Sequence, residues 1–538
     1  MSFLFSACLA LVLAGQDPGP GFLSQGPPVP PQLAQPNYRG YAAQDAESYV
    51  IEMTVLNSGG YQGNVAYRFR ALAPLDHIYL DRALSPKWQT SFQSSSGTPL
   101  QVVASDYGVM VPVGRTLQVG ETFEFRATFA GEEASGLHRQ RNQHGETFFF
   151  SDHFSSQARS WLPCEDSNSD RASFEITLSV PAGWDAIGSG AWQELAKSAD
   201  DASHGRIFHG KTASDIPPSL FAFTAGPYLR MPEDGDARFV PHFIFPQDKT
   251  KASQSLQYHA EWMEIMERTF GPYQYAKFTT IQIPTQWGGV EYPGNVWLSQ
   301  RIFDYEGGGV STMAHEFAHM WFGDAIGYAQ WEDAWLSEGF ASYFGPWLHE
   351  QAGGGPSLNS EMIGNRLRWR NATRARKLPV IWKDYKKPND LFGSASANTY
   401  QKGSWVLHML RQEIGDAAFF KGIAAFYQAN LGQAVATQQL LDAMQVASGE
   451  DLGWFFEQWL ERPGAPRLLV EEQPGSLLIR QTQDGALYRF KLRVAWVNAD
   501  GKAEEQVVAI TSAATVLAMG AGSHDWKLDP QAELLFVE

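Results

Sequence analysis

At 538 residues, with 44% hydrophobic content and 18 tryptophans, the chain is too long for one hydrophobic core and has enough apolar surface to fill about three. Its formal net charge is −17, with 58 acidic residues against 41 basic ones, which excludes a partner such as DNA or RNA held through bulk electrostatics. An acidic balance of this kind reads chiefly as solubility.

The chain begins with an apolar run from Phe3 to Ala14, too short to span a bilayer and suited to the hydrophobic region of a signal peptide over residues 1–15. Val12 and Ala14 supply the small residues of a cleavage site, so an exported, periplasmic or secreted protein without a transmembrane span is expected. Seven prolines lie between Gln16 and Asn37, and the stretch 16–41 reads as a Pro-rich flexible or polyproline-type linker. Cys8 falls in the segment expected to be lost, which leaves Cys164 alone and leaves no intramolecular disulfide or cysteine metal site.

Strand patterning follows. Ile51, Met53 and Val55 alternate with Glu52 and Thr54, and Phe174, Ile176, Leu178 and Val180 alternate with Glu175, Thr177 and Ser179. Turn clusters at Asn57–Gly60 and Ser94–Gly97 separate such runs, so residues 42–230 read as an all-β domain with one wet face. From Lys251 the period becomes helical: Leu256, Trp262, Met263, Ile265, Met266 and Phe270 share a face that Gly271-Pro272 ends. A strand-like Thr279–Ile283 comes next, and the remainder of 231–462 is mostly helical. Residues 463–538 return to strands around Leu468, Leu477, Tyr488–Val494 and Gln506–Ile510, divided by Pro-Gly and Asp-Gly turns. The fold class is multidomain α+β.

The chemistry concentrates in the helical part. In His315-Glu316-Phe-Ala-His319 the two histidines stand one helical turn apart and can grip one cation, with Glu316 turned aside as general base for the attacking water. The alternative is an amphipathic core helix in which Phe317, Met320, Trp321 and Phe322 pack inward and the histidines are merely satisfied. Two histidines and a carboxylate on so apolar a helix favour a shared cation, because burying them without one is costly. Catalytic zinc takes three protein ligands, and Glu338, nineteen residues after His319, is the best third candidate. Phe322 and Ala325 occupy the positions where the metzincin variant needs Gly and His, and so exclude it.

The run His315–Asp324, followed by Trp331-Glu-Asp-Ala-Trp335-Leu-Ser-Glu338-Gly-Phe-Ala-Ser-Tyr343, resembles the gluzincin aminopeptidase family that includes aminopeptidase N and leukotriene-hydrolase-like enzymes. Two more segments match in order: Trp287-Gly288-Gly289-Val290-Glu291-Tyr292-Pro293 resembles the family's Gly-x-Met-Glu-Asn segment, and Tyr400-Gln-Lys402-Gly403 the segment bearing its oxyanion tyrosine. Ala158–Asp166 upstream extends the likeness over about residues 155–465. The resemblance implies a thermolysin-like catalytic domain, a small C-terminal β-sandwich, and a member lacking the family's large C-terminal helical domain, since the sequence stops at Glu538. It also implies one zinc ion per chain on His315, His319 and Glu338, catalysis by Glu316 and Tyr400, and substrate binding by Gly288, Gly289 and Glu291. In the family that glutamate binds the free α-amino group, so the expected partners are peptides with a free N-terminus. Val290 and Tyr292 depart from the usual Met and Asn, which keeps the amine anchor and alters the subsite.

Other readings stay open: a non-catalytic peptide-binding protein on the same scaffold, a zinc endopeptidase, or an epoxide hydrolase. Asp333 reads equally as a group orienting a zinc histidine and as a helix cap. His242, His259, His349 and His408, isolated among apolar neighbours, read as structural. No feature fixes an oligomeric state.

Overall fold

A computed structural model describes residues 30–83, 88–132, 134–195, 205–232, 237–285, 288–305 and 307–537. The expected signal peptide and the linker up to residue 29 lie outside the described residues. From Pro30 onward the linker is a packed strap: Leu33 is buried, Ser105 Oγ donates to its carbonyl, and the Arg159 guanidinium donates to Asn37 O and lies over the Tyr38 ring. Proline content alone signals extension; the apolar Leu33 and the backbone acceptors are what dock it.

The N-terminal part is β-rich. A seven-stranded sheet runs Ala191–Glu194, Arg206–Lys211, Ser173–Val180, Gln44–Val55, Tyr61–Ala71, Thr122–Gly131 and Trp88–Ser94 in spatial order. Gln44–Val55 pairs in parallel with Ser173–Val180, the two alternating runs read from sequence, with Ile51 opposite Ile176 and Met53 opposite Leu178. Their apolar members face one core with Tyr49, Phe69, Phe125 and Trp161, while the Glu and Thr members stay at the wet face.

A five-stranded sheet, ordered Leu229–Met231, His242–Ile244, Thr279–Ile283, Asn295–Ser299 and Gly289–Tyr292, joins this region to the helices. Phe243, Ile281 and Trp297 of this sheet form a small core with Phe148, Phe150 and Ile187 of the N-terminal part.

The helical part contains α1 (His259–Phe270), α2 (Val310–His319), α3 (Trp335–Gln351), α4 (Leu358–Asn371) and α5 (Gly403–Ile414). Gly271 ends α1 with φ 128°, as its Gly-Pro signal requires. Leu256 falls outside α1, because the chain breaks at 256–258 between a short helix at Lys249–Ser255 and α1.

The C-terminal region forms two three-stranded sheets: Leu468–Gln473, Ser476–Gln481 and Ala514–Ala518 in one, Ala503–Ile510, Phe490–Val497 and His524–Leu528 in the other. Leu477, Ile479, Leu492 and Val494 belong to the same core as Trp405, Met409 and Trp459 of the helical part, so these strands and the helices bury apolar surface against each other. No helix among the described residues is long and apolar enough to cross a membrane.

Candidate active site

Helix α2 places His315, Glu316 and His319, and α3 packs directly against it. Close approach at that crossing depends on Gly345, where an added Cβ would lie 2.8 Å from His315 Cα. The crossing brings Glu338 to the histidine pair. His315 Nε2 and His319 Nε2 are 3.2 Å apart, and Glu338 Oε2 stands 3.3 Å from the first and 3.4 Å from the second.

That triangle has the dimensions of a cation site. Ligand atoms bound tetrahedrally at about 2.0–2.1 Å lie about 3.3–3.4 Å apart. The orientation of His319 agrees. Its Nδ1 lies 3.1 Å from the Phe322 carbonyl, which can only accept, so Nδ1 carries the hydrogen and Nε2 presents its lone pair to the centre of the triangle. Ser337 Oγ lies 2.9 Å from the same Nδ1.

Charge makes the same case. Glu291, Glu316, Glu338 and His319 are all buried around this point. Burial raises the Glu291 carboxyl to about 7 and pushes Glu316 well above the usual carboxylate range, with Glu338 adding to both rises and Glu291 to that of Glu316. Burial acts on Glu338 in the same direction, but His315 and His319, when protonated, outweigh it by hydrogen bonding and charge and hold Glu338 down to about 2. At His319 burial disfavours a charge, yet Glu291, Glu338 and Glu316 together raise its proton affinity. Three buried carboxylates around two imidazoles are a surplus of negative charge that a divalent cation neutralises. The donor set therefore fits a metal such as zinc.

Glu291 lies on the edge strand Gly289–Tyr292, its Oε1 4.0 Å from His319 Nδ1. On the same strand an added Cβ at Gly289 would lie 2.5 Å from Glu316 Oε1, so the bare backbone there is what leaves Glu316 its room. Tyr400 comes from a π-helical turn, Asn398–Lys402, just before α5. Its hydroxyl donates to Glu338 Oε1 at 2.8 Å, and its ring lies nearly parallel to that of His315, with centroids 6.2 Å apart.

A cleft of about 360 Å³ opens on these groups. Gly288, Gly289, Glu291, His315, Glu316, Glu338 and Tyr400 all line it, and His319 closes the triangle behind them. Every residue that the sequence nominates for the site is thus brought to one place. Sequence reasoning missed Phe154, Ser311, Thr312 and Ser337. Phe154 arrives from the N-terminal part, and no local pattern announces it. Ser337 adjoins Glu338, but a serine on a helix is too common to stand out.

Asp333 orients neither histidine. Its Oδ1 accepts from Thr437 N and Oγ1 and holds the start of the helix Thr437–Ser448, so the capping reading is the one that applies. The lone histidines are structural: His242 Nδ1 accepts from Thr280 N, His259 meets Thr280 Oγ1, His408 Nε2 bonds Ala532 O, and His349 packs on Tyr258 and Trp262. Cys164 is buried and free.

Comparison with known proteins adds an independent line. The peptidase family M1 domain matches residues 254–459, and the peptidase M1 N-terminal domain matches residues 45–206. Aminopeptidase N of Streptomyces lividans is 27% identical over 346 residues, 60% of this chain and 38% of that protein. Aminopeptidase N of Lactococcus lactis subsp. lactis is 33% identical over 200 residues, 34% of this chain and 23% of that protein. A probable M1 family aminopeptidase 1 of Encephalitozoon cuniculi is 22% identical over 501 residues, 86% of this chain and 56% of that protein. The chain therefore spans from about a quarter to a little over half of the length of these relatives. Both domains are matched in order, and together they take in more than half of the sequence, including every nominated site residue: this chain belongs to the M1 peptidase family of gluzincin aminopeptidases.

Proposed function

We propose that this protein is a zinc-dependent aminopeptidase that removes N-terminal residues from peptides, with a thermolysin-like catalytic domain between the N-terminal β domain and a small C-terminal β-sandwich. His315, His319 and Glu338 hold one zinc ion per chain. When bound, the ion supplies Lewis acidity to the scissile carbonyl and to the attacking water. Glu316 takes the proton from that water and returns it to the leaving amine. Tyr400 exchanges its hydrogen bond with Glu338 for one to the carbonyl oxygen as negative charge develops there. Gly288 and Gly289 let the substrate backbone approach the edge strand. The apolar run Phe3–Ala14 supports export of the enzyme.

One observation carries the exopeptidase reading: Glu291 is a buried carboxylate that lines the same cleft as Glu316 and His315 and has no guanidinium or ammonium beside it among the described residues. A protonated N-terminus supplies the missing cation, and pairing there leaves only the first peptide bond at the metal. The test is hydrolysis of peptides with free and acetylated N-termini. Acetylation should abolish cleavage; full retention would point to an endopeptidase. Silence toward every aminoacyl amide, unaffected by a chelator, would instead favour a binding protein.

The hydrogen bond between Ser337 and His319 gives a second expectation. Ser337→Ala should weaken zinc binding about 10- to 100-fold, measured by competition with a calibrated chelator, because groups that orient a ligating histidine typically contribute that much. Unchanged affinity would show that the Phe322 carbonyl alone fixes the ring.

A further inference from the structure

A second cavity, about 460 Å³, lies between the end of α4 and the start of the C-terminal strands. Trp369, Arg376 and Lys377 line one wall, and Arg467, Thr482 and the exposed Asp484 the other. Three cations thus face one space in a chain whose net charge is −17. None of the three forms an ion pair among the described residues, and Arg376 Nε is buried without a hydrogen-bond partner. That nitrogen has almost no accessible surface, so what the cavity offers a ligand is the charge of the three cations, an arrangement suited to an anionic oxygen.

Both walls are tied to the turn that carries Tyr400. Asn398, fully buried, donates through Nδ2 to Ala375 O at 2.7 Å, Leu378 O at 2.8 Å and Pro379 O at 3.1 Å, and its Oδ1 accepts from Trp369 Nε1 at 2.9 Å. On the other side of Tyr400, Lys402 Nζ donates to Arg462 O at 3.0 Å, in the segment that continues into the wall at Gly464 and Ala465. Val380 N and Ile381 N both bond Leu460 O, so the two wall segments are also clipped to each other beneath the turn.

We propose that this junction cavity binds a small oxyanion, a phosphate or a carboxylate, through Arg376, Lys377 and Arg467, and that its occupancy sets the position of Tyr400. The charge of the three unpaired cations selects the ligand class. Asn398 and Lys402 supply the link, since moving either wall moves a residue two positions from Tyr400. The link to Tyr400 rests on the aminopeptidase reading; the site itself does not.

The full-length zinc-loaded protein should be titrated calorimetrically with inorganic phosphate and, separately, with citrate, at constant ionic strength. Saturable binding of at least one, weakened about tenfold or more in Lys377→Gln/Arg467→Gln, is the expected result. These two side chains are exposed, so the variant should keep the wild-type melting temperature. The separate titrations tell a phosphate preference from a carboxylate one. No saturation with either anion, or binding that survives in the double variant and is lost on zinc removal, would overturn the site. On an aminoacyl amide the bound anion should change kcat at least twofold in wild type and not in the variant. Binding with kcat unchanged would overturn the link to Tyr400 alone, and a protein that binds the anion but cleaves nothing would keep the site while refuting the peptidase.

Discussion

Glu316→Gln should lower kcat about 10²- to 10⁴-fold while the purified protein keeps one zinc per chain. Glutamine has the size of glutamate and can still hold a water, but it cannot take up a proton, so the substitution removes base catalysis and leaves the metal triangle of His315, His319 and Glu338 in place. The steric case is favourable because the side chain lies tightly under the Gly289 backbone, where an added Cβ would come within 2.5 Å of Glu316 Oε1 and only an isosteric replacement fits. The measurement pairs steady-state hydrolysis of an aminoacyl amide with elemental analysis of the same sample. A variant that retains more than a tenth of wild-type turnover would rule Glu316 out as the base, and one that loses its zinc would move its role to metal retention.

Tyr400→Phe should reduce kcat about 10²- to 10³-fold and leave KM within a few-fold of wild type, the pattern of a donor that acts on charge formed in the transition state. The ring is retained, so its packing beside His315 is expected to persist. What disappears is the hydroxyl that donates to Glu338 Oε1. Zinc content separates two origins for the loss. Full occupancy with slow turnover supports the oxyanion role, whereas weakened metal binding would show that Tyr400 serves mainly to hold the Glu338 carboxylate.

Much of this site was legible in the sequence because its chemistry is written at helical spacing. His315 and His319 face one way because residues four apart on α2 must, and Glu316 is their neighbour on the same turn. The alternating strands at Ile51–Val55 and Phe174–Val180 were legible for the same reason, since a period of two leaves one apolar face. Periodicity carried no information on their mutual placement. Their parallel pairing joins segments more than a hundred residues apart. Glu291 and Tyr400 had no local signature of function, being a glutamate in a Gly-rich turn and a tyrosine before a helix; they were nominated by family resemblance alone.

The sequence by itself determined the order of β-rich, helical and β-rich parts, the histidine pair with its glutamate, and the candidacy of Glu338. Only the tertiary structure decided that Glu338 Oε2 closes a triangle with edges of 3.2 to 3.4 Å, that Asp333 holds another helix and not a histidine, that the strap from Pro30 is packed, and that Ser337 and Phe154 belong at the site. The division follows from the range of the forces. Backbone geometry fixes side-chain direction within one helix or strand, whereas the approach of α2 to α3, or of the N-terminal part to the cleft, depends on how whole apolar faces pack. A residue such as Gly345 shows its purpose only when the neighbouring helix is in place.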